Sequence, residues 1–175
     1  MEIHVSNNGR GHFSLPWQNK EHRLLPYVNE PFNDPKTVAK WEGQGYTNTQ
    51  FTGGMYDMRN PWLRWIDITP WQDALGWKQM SWSFYKMETG TILPEHVDTF
   101  SRFKTLHPDE DPDTIHRAIV FLEDWQPGHV LTLGQMQCDP WAPGSFVWWK
   151  HDVPHLAANI GLKNRFTLQL TGFKK

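Results

Sequence analysis

The apolar and polar positions of this chain change character near residue 80. Downstream of it, short apolar or alternating runs sit between glycines and prolines. Trp82 to Met87 alternates and stops before Gly90, and Ile115 to Leu122 is nearly all apolar. His129 to Leu133 follows Gly128, Ser145 to Trp149 follows Pro143-Gly144, and Asn164 to Thr171 closes the series. Period-two runs of this length and spacing predict short strands in an antiparallel sandwich or barrel. A run as apolar as Ile115 to Leu122 predicts a buried strand. Upstream, the chain is rich in Pro, Asn and Gly and carries two helix signals. Asp34-Pro35 opens a helix over Lys36 to Trp41 that runs to Gly43, and Thr69-Pro70 opens a second over Trp71 to Leu75 that stops at Gly76.

No repeat, low-complexity tract or flexible linker divides the 175 residues. The expectation is one domain, residues 1–175, with 1–80 as helical and extended support and 81–175 as the β core. The formal net charge is −2 with both signs mixed along the chain. That argues against nucleic acid or an anionic membrane as partner, either of which calls for a basic stripe. Neither a leader-like N-terminus nor a run of membrane-spanning length is found, so the reading is a soluble protein. A single cysteine, Cys138, excludes an internal disulfide and favours a cytoplasmic setting.

The chemistry concentrates in four places. His96 and Asp98 stand two apart, His155 follows fifty-nine residues after His96, and Arg165 follows His155 by ten. Two neutral imidazoles and a carboxylate suit a borderline divalent metal such as ferrous iron, capping one face of an octahedron and leaving three adjacent positions open. With one cysteine, a thiolate cage is out of the question. Positions i and i+2 share a face on a strand, so His96 and Asp98 are expected to point together, as are Arg165 and Thr167. A guanidinium fork beside a hydroxyl is a carboxylate receptor.

His96-x-Asp98, His155 and Arg165-x-Thr167 resemble the metal and co-substrate motifs of the 2-oxoglutarate/Fe(II)-dependent dioxygenases. The similarity runs from about Ser81 to Phe173. Glu95 to Asp98, Ala118 to Trp125 and Gly144 to Trp149 look most like the prolyl-hydroxylase branch. Thr167 stands where that family often has Ser, which keeps the hydroxyl. The resemblance implies a double-stranded β-helix, or jelly roll, with its mouth at the metal and the N-terminal helices and extended segments packed on one sheet. It implies Fe(II) on His96, Asp98 and His155, and 2-oxoglutarate with its 5-carboxylate on Arg165 and Thr167. Tyr85 and Arg117 are candidates for the other co-substrate contacts, Tyr85 through its hydroxyl. The implied reaction hydroxylates a C–H bond of a small molecule, peptide or protein, a prolyl residue in the first instance, releasing succinate and CO2.

Other classes stand beside this reading. A jelly roll can be a non-catalytic module that holds a carbohydrate or peptide on aromatic faces, and eleven tryptophans would serve it. Trp62 with Trp65, Trp71 with Trp77 and Trp82, and Trp148 with Trp149 are the clusters. Most are expected to brace the barrel, and alternation lets only one of Trp148 and Trp149 face inward. A cupin-type enzyme would offer His-x-His plus a glutamate, and no such pair exists here. His151 competes with His155 but lies ahead of the expected strand. His4, His12, His22, His107, His116 and His129 lack the context of a ligand and read as surface or structural residues. The charged, proline-broken segment 101–113 is either a lid over the site or a plain solvated connection.

Overall fold

The computed structural model describes residues 3–5, 9–14, 21–60 and 67–175. Trp62 and Trp65, and the side chain of His4, lie outside the described residues. Among the described residues twelve strands and three α-helices follow in order. They are β1 Ile3–Val5, β2 Arg10–Phe13, β3 Val28–Pro31, α1 Pro35–Gly43, β4 Thr52–Asp57, α2 Thr69–Leu75, β5 Trp77–Met87 and β6 Ile92–His96. After these come α3 Ser101–Leu106, β7 Ile115–Phe121, β8 His129–Leu133, β9 Met136–Gln137, β10 Ser145–Lys150, β11 His155–Asn159 and β12 Arg165–Lys174.

The strands form an eight-stranded sheet, β1-β2-β10-β7-β12-β5-β4-β3, facing a four-stranded sheet, β6-β11-β8-β9. All pairings are antiparallel. From β5 to β8 the chain alternates between large and small sheet, and from β9 to β12 it alternates back. This is the double-stranded β-helix, a mainly β fold. None of the helices is long and apolar enough to cross a membrane.

Period-two alternation sorts the large sheet's side chains into two cores. Phe84, Ala118, Val120, Phe146, Phe166, Leu168 and Leu170 face outward and are covered by α2 through Trp71 and Leu75. Tyr85, Met87, Ile119, Phe121, Val147 and Trp149 face inward and meet Leu131, Leu133 and Ala157 of the small sheet. The apolar run of β7 is explained by this, because both its faces are buried. Of the tryptophan pair, Trp149 faces in and Trp148 packs on the outer core.

Both predicted helices form, and for the expected reasons. Asp34 caps α1 by accepting from the Thr37 amide at 3.0 Å, and Gly76 ends α2 in the left-handed conformation. The N-terminal part differs from the expected support of helices and extended segments, since four strands there extend the large sheet at both edges. Their side-chain signal is weak: β4 reads Thr-Gly-Gly-Met-Tyr-Asp and β2 only Arg-Gly-His-Phe. Backbone pairing to β5 and β10 recruits them. Segment 101–113 is in part a helix: α3 is docked by Phe103, which stacks on Phe173 at 4.9 Å. Outside the sheet, Arg23 and His22 clasp Glu123, His22 Nε2 at 2.8 Å and Arg23 Nη2 at 2.6 Å, tying the 3-10 turn Glu21–Leu24 to the end of β7.

Candidate metal centre

His96 and His155 are cross-strand partners on β6 and β11. Fifty-nine residues of separation thus become direct neighbours, with ring centroids 4.3 Å apart. The ladder of β6 ends at His96, so Asp98 is not carried by the strand as expected. The extended chain nonetheless keeps the alternation for two more residues: His96 is buried, Val97 is exposed and Asp98 turns back inward. Phe100 then adopts a left-handed conformation, φ 51°, which swings the chain into α3.

The three side chains converge. Asp98 Oδ1 lies 3.7 Å from His96 Nε2, Asp98 Oδ2 lies 3.7 Å from His155 Nε2, and one ligand atom from each falls within 4.8 Å of the others. Bonds of about 2.0–2.2 Å to a shared ion place adjacent octahedral donors about 3 Å apart, so a slight contraction closes the set. Among the described residues no other group of three metal-ligating side chains comes together. His151 instead faces Asp113 at 3.5 Å.

The imidazoles are prepared as ligands. His96 Nδ1 bonds to the Pro94 carbonyl at 2.7 Å and His155 Nδ1 to the Val153 carbonyl at 3.0 Å. A carbonyl only accepts, so each Nδ1 carries the proton and each Nε2 offers its lone pair to the cavity. Burial, and then the neighbouring His155, push the pKa of His96 down to about 4, keeping it neutral. Burial works against ionisation of Asp98, but Arg117 and the two imidazoles outweigh it and hold the carboxyl below its usual range. Phe32 at 4.8 Å and Trp41 at 5.3 Å meet the His96 ring edge-on, so α1 and the chain before it brace the ligand.

A cavity of about 180 Å³ runs from these ligands to the far end of the barrel and is also lined by Tyr85, Arg117, Arg165 and Thr167. Arg165 and Thr167 share the inner face of β12, as expected, and Tyr85 on β5 is the cross-strand partner of Thr167. Arg165 is buried, 5% exposed, and donates through Nη1 to the Val130 carbonyl at 2.7 Å. Its Nε has no partner, nor does the hydroxyl of Thr167, which is 1% exposed. Among the described residues no carboxylate pairs with Arg165. Burial, opposed by Tyr85, lowers its pKa to about 10, and burial likewise pushes Tyr85 up to about 12. A buried cation, an orphaned hydroxyl and a neutral phenol together form a receptor for an anionic oxygen pair.

Arg117 is placed elsewhere. It lies four residues along β7 from Phe121, the partner of Thr167, hence about 13 Å away at 3.3 Å per residue. Its Nη2 meets Asp98 Oδ2 at 3.3 Å, its Nη1 donates to Gln169 Oε1 at 3.1 Å, and its guanidinium lies over the Phe100 ring at 4.9 Å. It therefore belongs to the metal end of the cavity, not to the Arg165 end.

Sequence reasoning missed Phe32, Trp41, Gln169 and Gly53. Gln169 was readable, because Arg165-x-Thr167-x-Gln169 continues one polar face. Gly53 on β4 was not: a Cβ there would sit 2.0 Å from the Tyr85 hydroxyl, so the phenol lies flat on its backbone.

No family model matches the sequence, and none of the curated proteins compared with it does. Among solved structures, a prolyl-4-hydroxylase from Pseudomonas putida is similar at 24% identity and TM-score 0.44, over 58% of this chain and 56% of that one. The cupin domain of an XRE-family transcriptional regulator from Enterobacter cloacae is similar at 11% identity and TM-score 0.41, over 69% of this chain and 96% of that one. A double-stranded β-helix protein from Klebsiella pneumoniae gives 10% identity and TM-score 0.38, over 55% and 69%.

Proposed function

We propose that this chain is a non-haem Fe(II)- and 2-oxoglutarate-dependent dioxygenase that hydroxylates a C–H bond of its substrate. In the balanced reaction, 2-oxoglutarate, dioxygen and R–H give succinate, CO2 and R–OH. The observation that carries the reading is Arg165, a buried guanidinium without a carboxylate partner among the described residues, in one cavity with the His96, Asp98 and His155 donor set. Desolvating a charge without pairing it is unfavourable by several kcal/mol, so such a cation is explained by a ligand that pairs with it. A binding module that grips sugars or peptides on aromatic faces has no use for it.

In this reading His96, Asp98 and His155 hold the ferrous ion, which when bound supplies the one- and two-electron chemistry that activates dioxygen. Arg165 forks onto the 5-carboxylate of 2-oxoglutarate, with Thr167 and Tyr85 donating hydroxyl hydrogens to the same oxygens. Arg117 holds the second oxygen of Asp98 and fixes its orientation. Trp149 and Ile119 wall the cavity and keep water from its interior. The prolyl-hydroxylase resemblance makes a prolyl residue the first target carbon to examine, and a reducing cytoplasm suits both a ferrous ion and the single buried Cys138.

Anaerobic titration of the Fe(II)-loaded protein with 2-oxoglutarate tests this. The expected result is a weak visible charge-transfer band from the keto-acid chelate. Iron binding with no such band would exclude the co-substrate, and failure to bind iron would favour the binding module.

A further inference from the structure

Outside the metal end, a groove of about 870 Å³ opens from Phe32, Asp98 and Arg117 past Trp82 and along α3. Its lining sets three arginines, Arg59, Arg102 and Arg117, against two carboxylates, Asp57 and Asp98. Arg59 is satisfied, by Asp57 at 2.5 Å and Glu30 at 2.9 Å. Arg102 is exposed and forms no ion pair or side-chain hydrogen bond with a described residue. Arg117 leans on Asp98 alone among carboxylates, and in the dioxygenase reading it shares that carboxylate with the ion. Arg102 then faces the groove with no anion among the described residues, and Arg117 with only a shared one.

The rest of the lining is mixed, with polar side chains such as Gln72, Ser81, Ser83, Thr99 and Gln169 beside apolar ones. Phe100 and Phe103 form an apolar wall, and Met58 and Leu106 stand at the rim, 54% and 62% exposed. A ligand that matches this surface has an apolar body and one anionic group set close to the metal end. A planar carboxylate matches a guanidinium fork, and the volume lies within the range of small-molecule pockets.

We infer that the groove takes the substrate as a free, small carboxylic acid, its carboxylate on Arg117 and Arg102 and its apolar body along Phe100, Phe103 and Leu106. The inference rests on the dioxygenase reading of the adjoining site. It sets the oxidised carbon near a carboxylate, which distinguishes the substrate from a residue held within a peptide chain.

The test uses the full chain loaded anaerobically with Fe(II) and 2-oxoglutarate, with isothermal titration calorimetry as the readout. The probes are 3-phenylpropionate, its primary amide, 2-phenylethyl phosphate, and an acetylated, amidated tripeptide containing phenylalanine. Binding of the acid at least tenfold tighter than the amide, phosphate ester and tripeptide is expected. In Arg102→Gln and in Arg117→Gln that preference should fall to within about threefold, with partial recovery in Arg117→Lys. Equal binding of acid and amide, tighter binding of the phosphate or tripeptide, or a preference that survives Arg102→Gln would each overturn the assignment. The charge-transfer band separates the two ideas. A band with no acid preference defeats the groove assignment alone, whereas an acid preference with no band defeats the dioxygenase reading.

Discussion

The two faces of β12 carry opposite chemistry within one strand. Outward, Phe166, Leu168 and Leu170 join the core beneath α2; inward, Arg165, Thr167 and Gln169 line the cavity. Every outward side chain has apolar neighbours, whereas two of the three inward ones keep buried polar atoms without a partner. The outer face is therefore built for stability, and the inner face carries unsatisfied groups that a ligand completes. The neighbouring β7 repeats the division, with Ala118 and Val120 outside and Arg117 and Ile119 inside. One register decides both roles, and a slip of one residue would exchange them.

Substitution on the inner face should separate function from folding most sharply. Arg165→Ala is expected to weaken 2-oxoglutarate binding by on the order of 100-fold or more, as loss of one partner of a buried charged pair does. Its unfolding midpoint should stay level or rise, since a desolvated cation is removed. Titration of the charge-transfer band and denaturant unfolding of the same preparation read both, and a large fall in stability would show Arg165 to be structural. Leu168→Ala is the mirror experiment on the outer face. Leu168 is fully buried, so about 2–5 kcal/mol of stability should be lost while the folded fraction binds 2-oxoglutarate normally. Weakened binding in the folded protein would mean that the two faces are not independent.

This division was legible in the sequence where side-chain periodicity carries it. β5, β8, β10 and β12 could be read from short patterned runs between turn residues and β7 from its apolar run, as could the shared face of Arg165 and Thr167 and the rule that only one of Trp148 and Trp149 faces inward. β6 and β11, which hold the histidines, were inferred only from their residues' chemistry, because Ile-Leu-Pro-Glu-His and His-Leu-Ala-Ala-Asn alternate poorly. The edge strands β1 to β4 were invisible, since backbone pairing and not periodicity creates them. Gly53 belongs to the same class: its role comes from a ring that approaches it across the sheet, which no local pattern encodes.

Gly53 offers a smaller and more selective perturbation of the inner face. Gly53→Ala places a methyl where the Tyr85 phenol lies, and overpacking of this kind typically costs about 1–3 kcal/mol. The expected outcome is roughly a tenfold loss of 2-oxoglutarate affinity, from the same range, with Fe(II) uptake unchanged. Tyr85→Phe, which removes only the hydroxyl, should cost less, about two- to tenfold, the worth of one hydrogen bond. Equal affinity in Gly53→Ala and the unsubstituted protein would remove Tyr85 from the co-substrate site.

The smallest expected effect lies on the periphery and has a definite sign in pH. Burial opposes ionisation of Glu123, but the hydrogen bonds from His22 and Arg23 outweigh it and draw its pKa from 4.5 down to about 2. The unfolded chain therefore binds more protons than the folded one between these values. The stabilisation is fully present above about pH 4.5 and is lost as the pH falls through about 2. Because the Arg23 side chain is 45% exposed, solvent screens part of the interaction, and the effect should stay below that of a core deletion. Glu123→Gln should flatten the acid limb of the apo-protein's unfolding curve and leave the neutral limb slightly lowered, without altering the charge-transfer band at pH 7. A band that weakened in this variant would connect the clasp at the end of β7 to the inner face and erase the separation between them.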